Sequence, residues 1–113
     1  MLSNVYIPNS IIKIRSFAFC DCKSITSINI PNSVVYIGSF TFSSCKSLTY
    51  VVIPDSVIYI GDSAFSDCSS LTNIVIPNSI TKINFYAFSN CKSIKRITIP
   101  NSVKYIGREA FYG

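Results

Sequence analysis

Histidine is absent from this 113-residue chain, acidic side chains number five, and charged residues of both signs make up only 13% of it. Without an imidazole the serine-rich turns lack the usual general base, and the acids stand singly at separated positions, so no pair is placed for acid and base roles. A glycine-rich phosphate loop is missing too. The chain therefore reads as non-enzymatic, with no cofactor. Nor is there a run of about 18 apolar residues, because Pro, Asn, Ser and Lys interrupt every stretch, and a helical membrane insertion is excluded. The amino terminus, Met1-Leu2-Ser3-Asn4, lacks the basic start and apolar core of a secretory signal. The expectation is that the chain stays inside the cell, or that a leader or upstream segment is missing.

What is present is apolar: 49% of the residues are hydrophobic, enough for a core, and the length suits one domain spanning 1–113. The net charge of +5 is unevenly spread. From Ser47 to Thr81 there are three acids, Asp55, Asp62 and Asp67, and no Lys or Arg. From Lys82 to Arg108 there are six cations, Lys82, Lys92, Lys95, Arg96, Lys104 and Arg108, and no acid. That basic end suits a polyanion or an acidic partner, although dispersed lysines also keep an apolar repeat soluble. Nucleic acid is disfavoured, because aromatic and basic residues do not interleave.

One period organises the sequence. Pro8, Pro31, Pro54, Pro77 and Pro100 are every proline in the chain, and each is 23 residues from the next. Cys22, Cys45, Cys68 and Cys91 keep the same step, as do Phe19, Phe42, Phe65, Phe88 and Phe111. A fixed period of this size is the signature of a solenoid, here with units 2–24, 25–47, 48–70, 71–93 and an incomplete 94–113.

Within a unit, apolar residues such as Ile25, Ile28 and Ile30, or Leu71, Ile74 and Ile76, lead up to the proline. The last two of each set flank one outward position and are β-branched, which predicts a short strand that the proline ends. Asn-Ser or Asp-Ser after the proline predicts a turn. A second short extended segment follows, as at Val34 to Ile37, and closes on Gly38, Gly61 or Gly107, where a positive φ is expected. Asn84 tolerates that geometry, whereas Arg15 fits it poorly and predicts a distorted first turn. The Ala-Phe pair, as at Ala87-Phe88, predicts a single helical turn with Phe in the core. One unit cannot bury both its faces, so stability comes from stacking neighbours.

The combination I-P-N-S-V, I-G and A-F-x-x-C, repeated from Leu2 to Phe111, resembles the BspA-like (treponemal-type) leucine-rich repeat. The resemblance implies a leucine-rich-repeat solenoid: a right-handed parallel β-solenoid of about five 23-residue turns, with a sheet on the concave side and short helical or irregular segments opposite. It also implies a role in adhesion or protein binding at a cell surface. Arg15 and Asn84 at the glycine position and Thr41 at the alanine position depart from the pattern.

The cysteine column forms a row at strand spacing, not the tetrahedron that zinc requires, so it reads as buried thiols. Cys20, outside the column, is the one thiol expected to be reachable. The serine columns, Ser10 to Ser102 and Ser24 to Ser93, read as turn hydroxyls bonding stacked backbone. Tyr36, Tyr59 and Tyr105, with Lys13 and Lys82, form a flanking ladder suited to shielding or to recognition. Recognition is expected chiefly on the outward positions of the strands: Tyr6, Asn29, Tyr50, Val52, Asn73, Val75, Arg96 and Thr98. An aromatic and apolar centre with charge at its rim is how a protein-binding face is built. Neither terminus carries a polar cap, which leads to two further expectations, a longer parent array or head-to-tail stacking of copies. The function expected is a protein-binding or adhesion module; the alternatives are a self-assembling structural repeat and polyanion binding through the basic end.

Overall fold

In a computed structural model, residues 4–113 are described, together with all side chains from Val5 onward. Leu2, expected to open the core of the first unit, lies outside the described residues. The chain coils as a parallel β-solenoid. Each full turn contributes a three-residue strand to a long sheet: β1 (Asn4–Tyr6), β3 (Ser27–Asn29), β5 (Tyr50–Val52) and β7 (Asn73–Val75), in the order β1-β3-β5-β7. A two-residue strand follows each: β2 (Lys13–Ile14), β4 (Tyr36–Ile37), β6 (Tyr59–Ile60) and β8 (Lys82–Ile83), with β9 (Tyr105–Ile106) in the last unit. All pairings are parallel and step by 23, as in Val5 to Ile28, Ile28 to Val51 and Val51 to Ile74.

Proline stops each long strand by withdrawing a backbone donor. The chain then turns on a bond from Ile11 N to Pro8 O, repeated from Val34, Val57, Ile80 and Val103 at 3.1–3.2 Å. Inside, residues one turn apart meet like with like. Phe19, Phe42, Phe65, Phe88 and Phe111 stack in a single file with ring centroids 5.2–5.6 Å apart. Leu48, Val51, Val57 and Leu71 are fully enclosed around them.

The third side of the coil corrects the expected helical turn. No helix forms among the described residues. Two linked tight turns stand there instead, with positive φ at Phe17, Phe40, Ser63, Tyr86 and Glu109, and again at Asp21, Ser44, Asp67 and Asn90. Each left-handed non-glycine residue costs about 1–2 kcal/mol. The arrangement recovers it in hydrogen bonds, because alternate amides are turned along the solenoid axis. Phe40, Phe42 and Ser44 donate to Asp62, Ala64 and Ser66 O at 2.8–3.0 Å, while the Ser43 amide closes a local turn on Phe40 O at 3.2 Å. Thr41 is absorbed at the alanine position because its buried Oγ1 donates to Gly38 O at 2.7 Å.

The glycines are also corrected. None of Gly38, Gly61 and Gly107 has a positive φ; what they supply is contact. A Cβ on Gly61 would lie 2.5 Å from Ser39 N, and one on Gly38 the same distance from Ser16 N. Arg15, at the same position in the first turn, has no positive φ either. The short strands accordingly break where Asn84 stands in the glycine position: β2-β4-β6 form one sheet and β8-β9 another.

The fifth unit departs from the other four. Residues 94–100 form no strand, and Ile94, Ile97 and Ile99 are half-buried where their counterparts in the second, third and fourth turns are buried. The amide ladder from Thr49 to Thr26 O and from Thr72 to Thr49 O does not continue at Lys95. Four full turns are thus built, with a fifth held by β9 and by the turns from Arg108 to Tyr112.

Candidate functional site

The outward face of the long sheet is the surface on which the turns differ most from one another. Strand alternation turns Val5, Ile28, Val51 and Ile74 inward and the flanking residues outward. The register aligns Tyr6, Asn29, Val52 and Val75 in one row and places Tyr50 beside Asn73 in the next. Tyr6 is 81% exposed, Val75 53%, Tyr50 47% and Val52 42%, so an apolar and aromatic patch faces solvent on neighbouring strands. Where the strands meet their prolines, the patch borders a groove of ≈ 540 Å³ lined by Asn29, Val52 and Val75, by Pro31, Pro54 and Pro77, and by Asn32 and Asp55. Six of the eight residues expected on this face are therefore brought together.

Arg96 and Thr98 are the exceptions. They were expected as a fifth row of the sheet, but residues 94–100 do not pair with β7. Both face β7 across a cleft of ≈ 540 Å³. The sequence pattern of this segment matches the other strands, so its lack of pairing is decided by tertiary packing.

All six cations of the basic end are exposed, but they are not gathered in one place. Lys92, Lys95 and Arg96 surround a hollow of ≈ 220 Å³ floored by Phe88, Ile94, Ile97 and Phe111. Lys82 lies on β8 and pairs with Tyr105, next to Lys104, whose Nζ donates to Asn101 O at 3.3 Å.

The cysteines are all free thiols. Cys45, Cys68 and Cys91 each donate Sγ–H to a carbonyl of the preceding turn, those of Phe19, Phe42 and Phe65, at 3.1 Å. Burial pushes the Cys45 and Cys91 thiols up to about 12, and Cys68 higher still. These groups stay protonated and serve as core. Cys20 is half-buried, and burial followed by the neighbouring Asp21 carboxylate raises its pKa as well. Ser56 donates to Val34 O at 2.6 Å and Ser79 to Val57 O, whereas Ser33 and Ser102 have buried hydroxyls without a partner.

On the flank, Tyr36 and Tyr59 stack at 4.9 Å, with Lys13 Nζ 5.7 Å from the Tyr36 centroid. Lys82 holds the next position of this column, so the tyrosine stack ends at Tyr59. A second exposed stack, Phe17 on Phe40 at 5.0 Å, had not been expected from the sequence. Its signal was the recurrence of an aromatic two residues before the core phenylalanine, at Phe17, Phe40 and Tyr86.

The whole chain, residues 1–113, matches the family model described as a BspA type leucine rich repeat region, six copies. Solved structures similar to it include the T. pallidum leucine rich repeat protein TpLRR, at 35% identity and a TM-score of 0.85 over 89% of this chain and 47% of that one. A leucine-rich repeat protein from Bacteroides ovatus is similar at 32% identity and 0.71, over 98% and 35%. A leucine rich cell surface protein from Faecalibacterium prausnitzii is similar at 25% identity and 0.55, over 94% and 44%. The chain therefore spans between about a third and about a half of the length of these structures. No curated protein matches it.

Proposed function

The chain belongs to the BspA-type leucine-rich repeat family, and from that premise we propose that it is a non-catalytic protein-binding or adhesion module whose working surface is the outward face of β1, β3, β5 and β7. The observation that carries this reading is the exposed cluster of Tyr50, Val52 and Val75, with Tyr6 in the same row as Val52 and Val75. Apolar and aromatic side chains held on paired strands lose little conformational freedom on binding, and they are the residue types that dominate interface energetics. A role in adhesion is in keeping with the similarity to the leucine rich cell surface protein of F. prausnitzii. No helix among the described residues is long and apolar enough to cross a membrane.

The test is a binding screen against proteins of the neighbouring or host cell surface, run with the wild type and with Tyr50→Ala plus Val52→Ser. Loss of a captured partner by a folded double variant supports the reading; equal capture by both forms removes it.

A second reading, polyanion binding, is favoured by the convergence of Lys92, Lys95 and Arg96 on one hollow with no carboxylate side chain in its lining. Binding of that kind weakens steeply with salt, as contact with the sheet face does not.

A further inference from the structure

On the third side of the coil one rung of an aromatic column is missing. Phe17, Phe40, Ser63, Tyr86 and Glu109 are left-handed residues one turn apart, and the amides of the first four donate to Ser39, Asp62, Phe85 and Arg108 O at 2.8–3.2 Å. The φ angles of Phe40, Ser63 and Tyr86 are 59°, 57° and 58°, so the backbone repeats here without interruption and only the side chain changes. Phe17 and Phe40 use that repeat to stack, with centroids 5.0 Å apart and planes 1° from parallel. Ser63 then leaves a gap, with an aromatic ring on either side of it. Two turns at the strand spacing of about 4.8 Å put Phe40 and Tyr86 about 10 Å apart. A flat group placed midway lies about 5 Å from each ring, which is stacking distance. Both rings are exposed, at 38% and 39%, and Ser63 is buried between them. Phe40, Ser63 and Tyr86 line one groove with Asp67, Asn90 and Glu109, and no Lys or Arg is among its walls. Asn90 Nδ2 donates to Asp67 Oδ1 at 3.0 Å, which orients the carboxylate and leaves Oδ2 open. Glu109 is engaged with the Tyr86 hydroxyl.

We propose that the gap left by Ser63 is a slot for the guanidinium of an arginine side chain on a partner protein. A guanidinium is flat, so it enters between two rings at this spacing, and it is cationic and weakly hydrated, so aromatic faces attract it. Its planar N–H donors suit a carboxylate, and the Asp67 carboxylate lines the same groove. A lysine ammonium carries the charge without the flat face. A phenyl ring has the face but no donor for the acids around it. The slot lies away from the long sheet and does not depend on the outward face of that sheet being the protein-binding surface.

The probe is an acetylated and amidated Gly-Arg-Gly peptide, titrated into the full chain at low ionic strength and followed by amide chemical shifts. Saturable shifts are expected at Ser63, Asp67 and Tyr86, with a dissociation constant on the order of 1 mM. Peptides with lysine, with phenylalanine, or with citrulline, which is as flat but uncharged, should each bind about threefold more weakly or worse. Ser63→Phe restores the missing rung on a backbone conformation that already carries Phe40 one turn earlier, and it should abolish binding. Asp67→Asn should weaken binding about threefold or more. Tyr86→Ala removes one wall at an exposed position and should weaken it by a similar factor, so the test does not hang on the folding of Ser63→Phe. The proposal is overturned by the absence of saturable shifts, or by equal binding of any of the three replacement peptides. It is likewise overturned if the arginine peptide binds undiminished to Tyr86→Ala, to Asp67→Asn or to folded Ser63→Phe.

Discussion

Asn84 Nδ2 donates to Ile60 O at 2.6 Å, in the place where, one turn earlier, the Gly61 amide itself donates to Ile37 O at 2.9 Å. A side chain has taken over a backbone bond. The Cβ that Asn carries cannot fit where Gly61 lies against Ser39 N and the Gly38 carbonyl carbon, so the fourth turn stands off and its carboxamide spans the gap. The price is the division of the short strands into two sheets.

Two reciprocal substitutions follow from this contact. Gly61→Asn should destabilise the fold by about 1–3 kcal/mol, the range for overpacking against a backbone that cannot yield, read as a lower urea midpoint. Asn84→Gly should let β8 rejoin β6, and the amide of residue 84 should become protected from hydrogen exchange. An unprotected amide in that variant would show that something other than the Cβ holds the turns apart.

Phe65 lies fully buried in the aromatic file between Phe42 and Phe88, whereas Phe19 stacks on Phe42 and is partly exposed. Phe65→Ala should cost about 3–5 kcal/mol. Phe19→Ala should cost clearly less, because its ring already contacts solvent. Urea unfolding of the two variants checks the order, and equal losses would contradict the nearest-neighbour account of stability.

The buried thiols predict a pH dependence of defined sign. Cys45 and Cys91 rise from an ordinary value of 9.0 to about 12 in the folded chain. Below pH 9 both folded and unfolded forms hold the proton, and the thiols leave stability unchanged with pH. Above it the unfolded chain ionises first, so each thiol removes up to about 1.4 kcal/mol of stability per pH unit until the folded thiols ionise too. Urea midpoints in a reducing buffer between pH 7 and pH 10.5 should be flat at first and then fall. Cys45→Ala plus Cys91→Ala should lessen the fall relative to wild type.

Tyr50 and Val52 point into solvent, so Tyr50→Ala plus Val52→Ser should change folding stability by no more than about 1 kcal/mol. Circular dichroism melts that coincide with the wild type's would leave any loss of binding attributable to the sheet face.

Much of this was legible in the chain because a strict period converts sequence distance into spatial contact. Once Pro31 and Pro54 are known to be 23 residues apart, the pairing of Ile28 with Val51 and of Phe42 with Phe65 follows, and alternation assigns Tyr50 and Val52 to the outside. The positive-φ columns were not legible. Phe17 and Phe40 are residue types that disfavour that conformation, and only hydrogen bonds to the next turn make it worthwhile. For the same reason Ala-Phe reads as a helical turn until the carbonyl partners of its neighbours are seen.

Repetition by itself determined the solenoid, its register, its core columns and the residues that face out of its strands, since each is a consequence of like residues stacking on like. The tertiary structure alone decided where the stack is imperfect. The fit of a glycine against the turn beneath it depends on gaps smaller than one side chain. No period encodes such gaps, because they arise from the mutual adjustment of neighbouring turns.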